Sequence, residues 1–79
     1  MTETLDAPIA DIAEIVSAID DPGEFYRASR EVESRVTASM RAVRRERLLA
    51  LREQGLTWRQ IGELLGVSTQ RAEQISREV

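Results

Sequence analysis

Residues 55–79 read GLTWRQIGELLGVSTQRAEQISREV, and this stretch decides the fold. Thr57 stands where a helix-capping hydroxyl accepts a hydrogen bond from a free backbone amide, and Gln60, three residues on, can return one. Leu56 before this cap and Ile61 beyond it match a hydrophobic staple, and Ile61, Leu64 and Leu65 repeat at helical spacing, predicting a short helix with one apolar face. Gly66 can enter the left-handed region without steric cost and so stop that helix. With Val67 it makes the turn, and Ser68 then caps a second helix expected over residues 68–79. Ala72 and Ile75 are expected to point inward, whereas Thr69, Gln70, Arg71, Glu73, Gln74 and Arg77 face outward. Small Gly62 and Ala72 would let the two helices approach closely.

Helix, tight glycine turn and second helix form the layout of a DNA-reading helix-turn-helix. With these residues placed, the segment over roughly residues 38–78 resembles the promoter-binding helix-turn-helix of bacterial sigma factors, region 4, and the small sigma-region-4-like regulators frequent in actinobacteria. The resemblance is carried by Ile61 and Gly62 in the first helix, Val67 in the turn, and Arg71, Gln74 and Ile75 in the second helix. It departs at Thr69 and Glu73, where sigma proteins usually have arginines, so it implies the scaffold rather than the family's promoter preference. A similar pattern also occurs in helical hairpins that touch no nucleic acid.

The 79 residues amount to one small domain. The chain has no cysteine and no histidine, which removes disulfides, thiolate metal sites and the commonest metal ligand and general base. Glu63 and Glu73 lie on short helices among positive neighbours and read as solvated groups, so neither an enzyme nor a cofactor or metal site is expected. No apolar run approaches the roughly 20 residues that span a bilayer, and MTETLDAPIAD lacks the positive region and apolar core of a signal peptide. A cytoplasmic protein without a membrane partner is the expectation.

The formal charge of -3 hides a strong division. Residues 1–40 carry three arginines against nine acids, a net of -6, while residues 41–79 carry eight arginines against five acids, a net of +3. Phosphate attraction acts locally, screened within about 10 Å at 0.1 M salt, so the positive half is the one that bears on DNA. Within it, RAVRRERLLALRE offers Arg41, Arg44, Arg45, Arg47 and Arg52, of which Arg41, Arg44, Arg45 and Arg52 can share a broad helix face. They are candidates for phosphate contact, with pairing to Glu46 and Glu53 as the alternative.

Upstream, Ile9, Ile12, Ile15, Val16 and Ile19 form the stripe of an amphipathic helix with Pro8 expected in its first turn, ended by Asp20 and Asp21. Asp21 can cap the next helix, with Pro22 at its first position and Glu24 completing a capping box. From Pro22 to Gln54 the pattern permits one long helix, stopped by Gly55, and about 30 residues of it would span roughly 45 Å. Phe25, Val32, Val36, Met40 and Val43 make an apolar seam, and Leu48, Leu49 and Leu51 turn it toward the helix-turn-helix. The first helix can fold back on the seam, with Phe25 and Tyr26 as packing residues. Two such hairpins would bury both stripes, so a homodimer is expected through residues 1–37, using Ile12, Ile15, Val16, Ile19, Phe25, Val32 and Val36; a monomeric hairpin is the alternative.

The fold class expected is therefore all-α: an N-terminal helix and a long helix forming a hairpin, then the helix-turn-helix of residues 38–79. Its expected function is sequence-specific binding of double-stranded DNA as a transcriptional regulator, a repressor by first choice. The second helix would enter the major groove with Arg71 on guanine, Gln70 or Gln74 on adenine, and Thr69 beside them. Arg44, Arg45, Thr57, Arg59, Ser68 and Arg77 would hold phosphates, and Trp58 would rest against sugar and phosphate or join the core. The absence of an aromatic series counts against single-strand or RNA binding. A complete sigma factor is not expected from this length. The competing reading is an interaction module whose acidic half docks on RNA polymerase or a sigma factor without touching DNA.

Overall fold

The computed structural model describes residues 3–78 and is all-helical: α1 (Glu3–Ser17), α2 (Pro22–Glu53), α3 (Trp58–Leu65) and α4 (Thr69–Ile75). The chain forms two compact units, Met1–Arg35 and Val36–Val79, and α2 runs through the boundary between them.

In the first unit, α1 leads by a short turn into the beginning of α2. Helix α1 starts at Glu3, so Pro8 lies inside it rather than in its first turn. Leu5 continues the exposed stripe of Ile9 and Ile12 one turn upstream, and Pro8 within the helix has no amide to donate. The helix closes at Ser17, before the two aspartates, with the Ala18 amide donating to Glu14 O (3.1 Å) and the Ile19 amide to Val16 O (3.1 Å). Asp21 caps α2 as its position predicts: its Oδ2 accepts from the Glu24 amide at 2.9 Å. Val16, Ile19, Ala28 and Val32 are half-buried. Ile12, Ile15, Phe25 and Tyr26 are exposed, which corrects the expectation that both aromatic rings pack. Arg30 donates to the Tyr26 hydroxyl at 3.5 Å along the outer surface of α2.

The second unit is built on four buried side chains, Leu48, Ile61, Ala72 and Ile75, one or two from each of its helices, with Leu51, Leu56, Trp58 and Val67 packed around them. Val36, Met40 and Val43 are exposed along α2, as is Leu49, which sits about 100° round the helix from buried Leu48. Helix α2 ends as Gly55 predicts: Gly55 takes φ +96°, its amide donates to Arg52 O (2.9 Å) and the Leu56 amide to Leu51 O (3.3 Å).

Helix α3 begins on the full reciprocal cap, the Gln60 amide donating to Thr57 Oγ1 at 3.1 Å and the Thr57 amide to Gln60 Oε1 at 2.8 Å. Its inward direction lies between Ile61 and Gly62, so Leu64, 68% exposed, points away and Leu65 is only partly covered. The apolar face expected from Ile61, Leu64 and Leu65 is thus rotated toward Trp58 and Gly62. Gly66 stops the helix at φ +74°, its amide donating to Glu63 O and the Val67 amide to Gly62 O (2.9 Å). Helices α3 and α4 pack together with Gly62 and Ala72 both buried, and at Gly62 the nearest approach is to backbone: a Cβ there would lie 2.8 Å from the Val67 carbonyl oxygen and 3.2 Å from that of Ser68, the cap of α4.

Candidate nucleic-acid interface

Helix α4 is shorter than the 68–79 expected. Ser68 accepts from the Arg71 amide at 3.0 Å, Ala72 and Ile75 enter the core, and regular helix ends at Ile75. Residues 76 and 77 continue as a turn, with the Arg77 amide donating to Gln74 O (3.0 Å) and the Glu78 amide to Ile75 O (3.2 Å). Val79, the last residue of the expected helix, lies outside the described residues. The inward positions match the sequence reading, which leaves Thr69, Gln70, Arg71, Gln74 and Arg77 exposed. Gln70, Glu73, Gln74, Arg77 and Glu78 together line an open polar groove on this outer surface.

The charges on this surface are arranged in pairs. Arg77 binds the Glu73 carboxylate one turn back, so the acid that stands at a reading position is offset locally. Arg59 pairs with Glu63 at 3.6 Å on the exposed side of α3. Both are open to water, where such pairs contribute about 0.3–0.5 kcal/mol and exchange readily for another anion. Arg44 is exposed and has no ion-pair or hydrogen-bond partner among the described residues.

Arg71 is held more firmly. Its Nη1 donates to Gln74 Oε1 (3.2 Å) and to Glu78 Oε1 (2.8 Å). Glu78 in turn faces Arg41 Nε from its second carboxylate oxygen at 4.0 Å, and its backbone carbonyl accepts from half-buried Arg45. Two arginines of α2 and one of α4 therefore meet at a single glutamate. Glu78 was not among the sequence-derived site residues, and Arg41 was only a candidate phosphate contact: Arg45 and Glu78 stand 33 residues apart, and no local spacing links them.

Thr57 and Ser68 both use their hydroxyl oxygens as cap acceptors, which leaves each hydroxyl proton available to an outside acceptor. Trp58 is half-buried against the core, with the Arg52 guanidinium 5.1 Å over its ring and donating to Leu56 O at 3.1 Å. Of its two expected roles the structure puts it in packing. No helix is long and apolar enough to cross a membrane among the described residues.

No protein-family model matches the chain, and comparison with curated proteins and with solved structures gave no match.

Proposed function

We propose that this chain is a cytoplasmic, sequence-specific DNA-binding regulator, a repressor by first choice, which reads the major groove with α4. The observation that carries the reading is the combination of two capped short helices, a glycine-tight turn between them, and an outer surface of α4 made of Thr69, Gln70, Arg71 and Gln74. Arginine and glutamine have the hydrogen-bond geometry for guanine and adenine edges. Arg44, Arg45, Arg59 and Arg77, with the Thr57 and Ser68 hydroxyls, supply the phosphate contacts, which set affinity without selecting sequence. Occluding a promoter needs nothing beyond such binding. The resemblance to sigma region 4 supports the scaffold, while Thr69 and Glu73 argue for a different preferred site.

Titration of the protein with random and genomic duplexes at about 50 and about 200 mM salt tests this. If those four arginines each neutralise one phosphate, the log–log salt slope is about -3.6 and affinity falls roughly a hundredfold across that range. Arg44→Ala should lower the slope by about 1 on every duplex, and Arg71→Ala should relax one base position. Absence of binding at the lower salt refutes DNA reading.

One observation favours the second reading, an interaction module for RNA polymerase or a sigma factor: Leu5, Ile9, Ile12 and Ile15 are all exposed on the acidic helix α1. The same stripe, with the exposed Phe25 and Val36, supports a homodimer that would read two half-sites.

A further inference from the structure

We infer that Glu78 is a positioning residue for base recognition, holding Arg71 so that only one edge of its guanidinium is presented outward. The inference rests on the DNA-reading function and names a residue that determines its specificity.

A guanidinium has five N–H donors, and two parallel ones are needed to grip guanine O6 and N7. Arg71 Nη1 has two of the five, and both are occupied, one by Gln74 Oε1 and one by Glu78 Oε1. The end-on fork, which needs Nη1, is thereby removed, and the side-on fork of Nε and Nη2 is what remains. An arginine on an open helix surface samples many rotamers, and fixing it on DNA costs conformational entropy. Glu78 meets that cost in advance only if it is itself fixed. It is: its side chain is 21% exposed, its carbonyl is held by Arg45, and its second carboxylate oxygen faces Arg41. Both anchors come from α2, so the reading side chain of α4 is oriented from the helix beneath it. Gln74 is drawn into the same arrangement, its Oε1 turned to Arg71 and its amide N–H groups left for an acceptor such as adenine N7.

The alternative action of the same carboxylate is masking, in which Glu78 competes with phosphate for Arg71 and Arg41. The two differ in sign on specificity. Selection from a pool of random-sequence duplexes with wild-type, Glu78→Ala, Glu78→Gln and Arg71→Ala proteins, each checked for native circular dichroism, separates them. Positioning predicts that Glu78→Ala and Arg71→Ala lose preference at the same base position. The ratio of affinity for the wild-type motif to that for a scrambled duplex should fall about tenfold in Glu78→Ala, toward the low end of what one bidentate arginine–guanine pair supplies. Glu78→Gln, which keeps an acceptor without its charge, should fall between. Should Glu78→Ala prove unfolded, Glu78→Gln and the double variant with Arg71→Ala decide: a further loss of preference in the double variant beyond Arg71→Ala alone overturns the coupling. An unchanged motif with tighter binding to every duplex overturns positioning in favour of masking. A wild-type protein that binds duplexes without any motif also overturns it, leaving DNA binding intact, and one that binds none refutes the DNA reading itself.

Discussion

Replacing Gly62 by alanine sets two effects of opposite sign against each other, and the structure decides between them. Within a helix the exchange gains about 1 kcal/mol from backbone entropy. At this position, however, the new Cβ would meet the Val67 carbonyl oxygen at 2.8 Å and the Ser68 carbonyl oxygen at 3.2 Å, whereas ordinary contact begins at 3.4 Å. The turn must therefore retreat by some 0.6 Å from Val67 O alone, the difference between 3.4 and 2.8 Å. Neither carbonyl belongs to a flexible side chain, and the turn is tied in place. The Val67 amide donates to Gly62 O at 2.9 Å, and Ser68 O accepts from the Ala72 amide at 3.0 Å, so retreat strains both bonds. Overpacking of this kind costs about 1–3 kcal/mol and each weakened hydrogen bond about 1 kcal/mol. The net expectation is a loss of about 2–4 kcal/mol, or roughly 8–32 °C in midpoint for a domain of this size. Thermal and urea unfolding followed by circular dichroism measures it, with Gly23→Ala as the comparison. Gly23 is also helical, but a Cβ there meets side-chain atoms alone, the Asp21 Oδ2 that caps α2 at 3.2 Å and the end of Arg27, so alanine should cost less than at Gly62. A Gly62→Ala protein as stable as the wild type would refute the close approach of helix and turn.

The core makes an equally direct expectation. Leu48→Ala empties one of four buried positions and should cost about 2–5 kcal/mol, abolishing hydrogen-exchange protection of α3 and α4, whereas the neighbouring exposed Leu49→Ala should stay within about 0.5 kcal/mol; equal effects would contradict the burial pattern. For the proposed homodimer, sedimentation at tens of micromolar should give the mass of two chains, and Ile12→Asp should return one; a wild-type protein sedimenting as one chain removes the dimer.

The local grammar of residues 51–72 was readable because each decisive contact spans three to five residues. Thr57 with Gln60, Gly66 with Gly62 and Glu63, Ser68 with Arg71, Gly55 with Arg52, and Leu56 with Leu51 are all bonds of this kind. What escaped the sequence depends on rotation and distance. Leu64 and Leu49 carry the same hydrophobicity as Ile61 and Leu48, and only the direction in which α3 and α2 meet their neighbours separates them. The start of α1 differs too: Pro8 suits a first turn, yet α1 begins at Glu3, and since Leu5 and Ile9 are exposed, burial does not account for the extra turn. On the proposed reading surface, the outward positions of α4 follow from the inward pair Ala72 and Ile75. The partners of Arg71 do not, since they are assembled by Glu78 after the helix has ended and by Arg41 and Arg45 from a helix thirty residues earlier.

The shortness of α4 explains why those distant partners matter. A seven-residue helix is far below the roughly 12–15 residues at which isolated helices become even marginal, so α4 exists only because other elements hold it. Its attachments converge on one turn. Ser68 fixes the amide of Arg71, Ala72 immediately after it is fully buried, and Glu78 holds the Arg71 guanidinium from the far end. The residue proposed to meet guanine is thus anchored through its backbone, its neighbour and its side chain, while Thr69 and Gln70 are anchored through the backbone alone. Loss of any one anchor acts on Arg71 before it unfolds the unit. Discrimination at the base Arg71 contacts should therefore respond to core and Glu78 variants at stabilities where phosphate contacts from α2 are still intact. In the proposed function, affinity and specificity would separate for that reason: part of the first would rest on Arg44 and Arg45 of the long α2, and the second on a short helix that borrows its order.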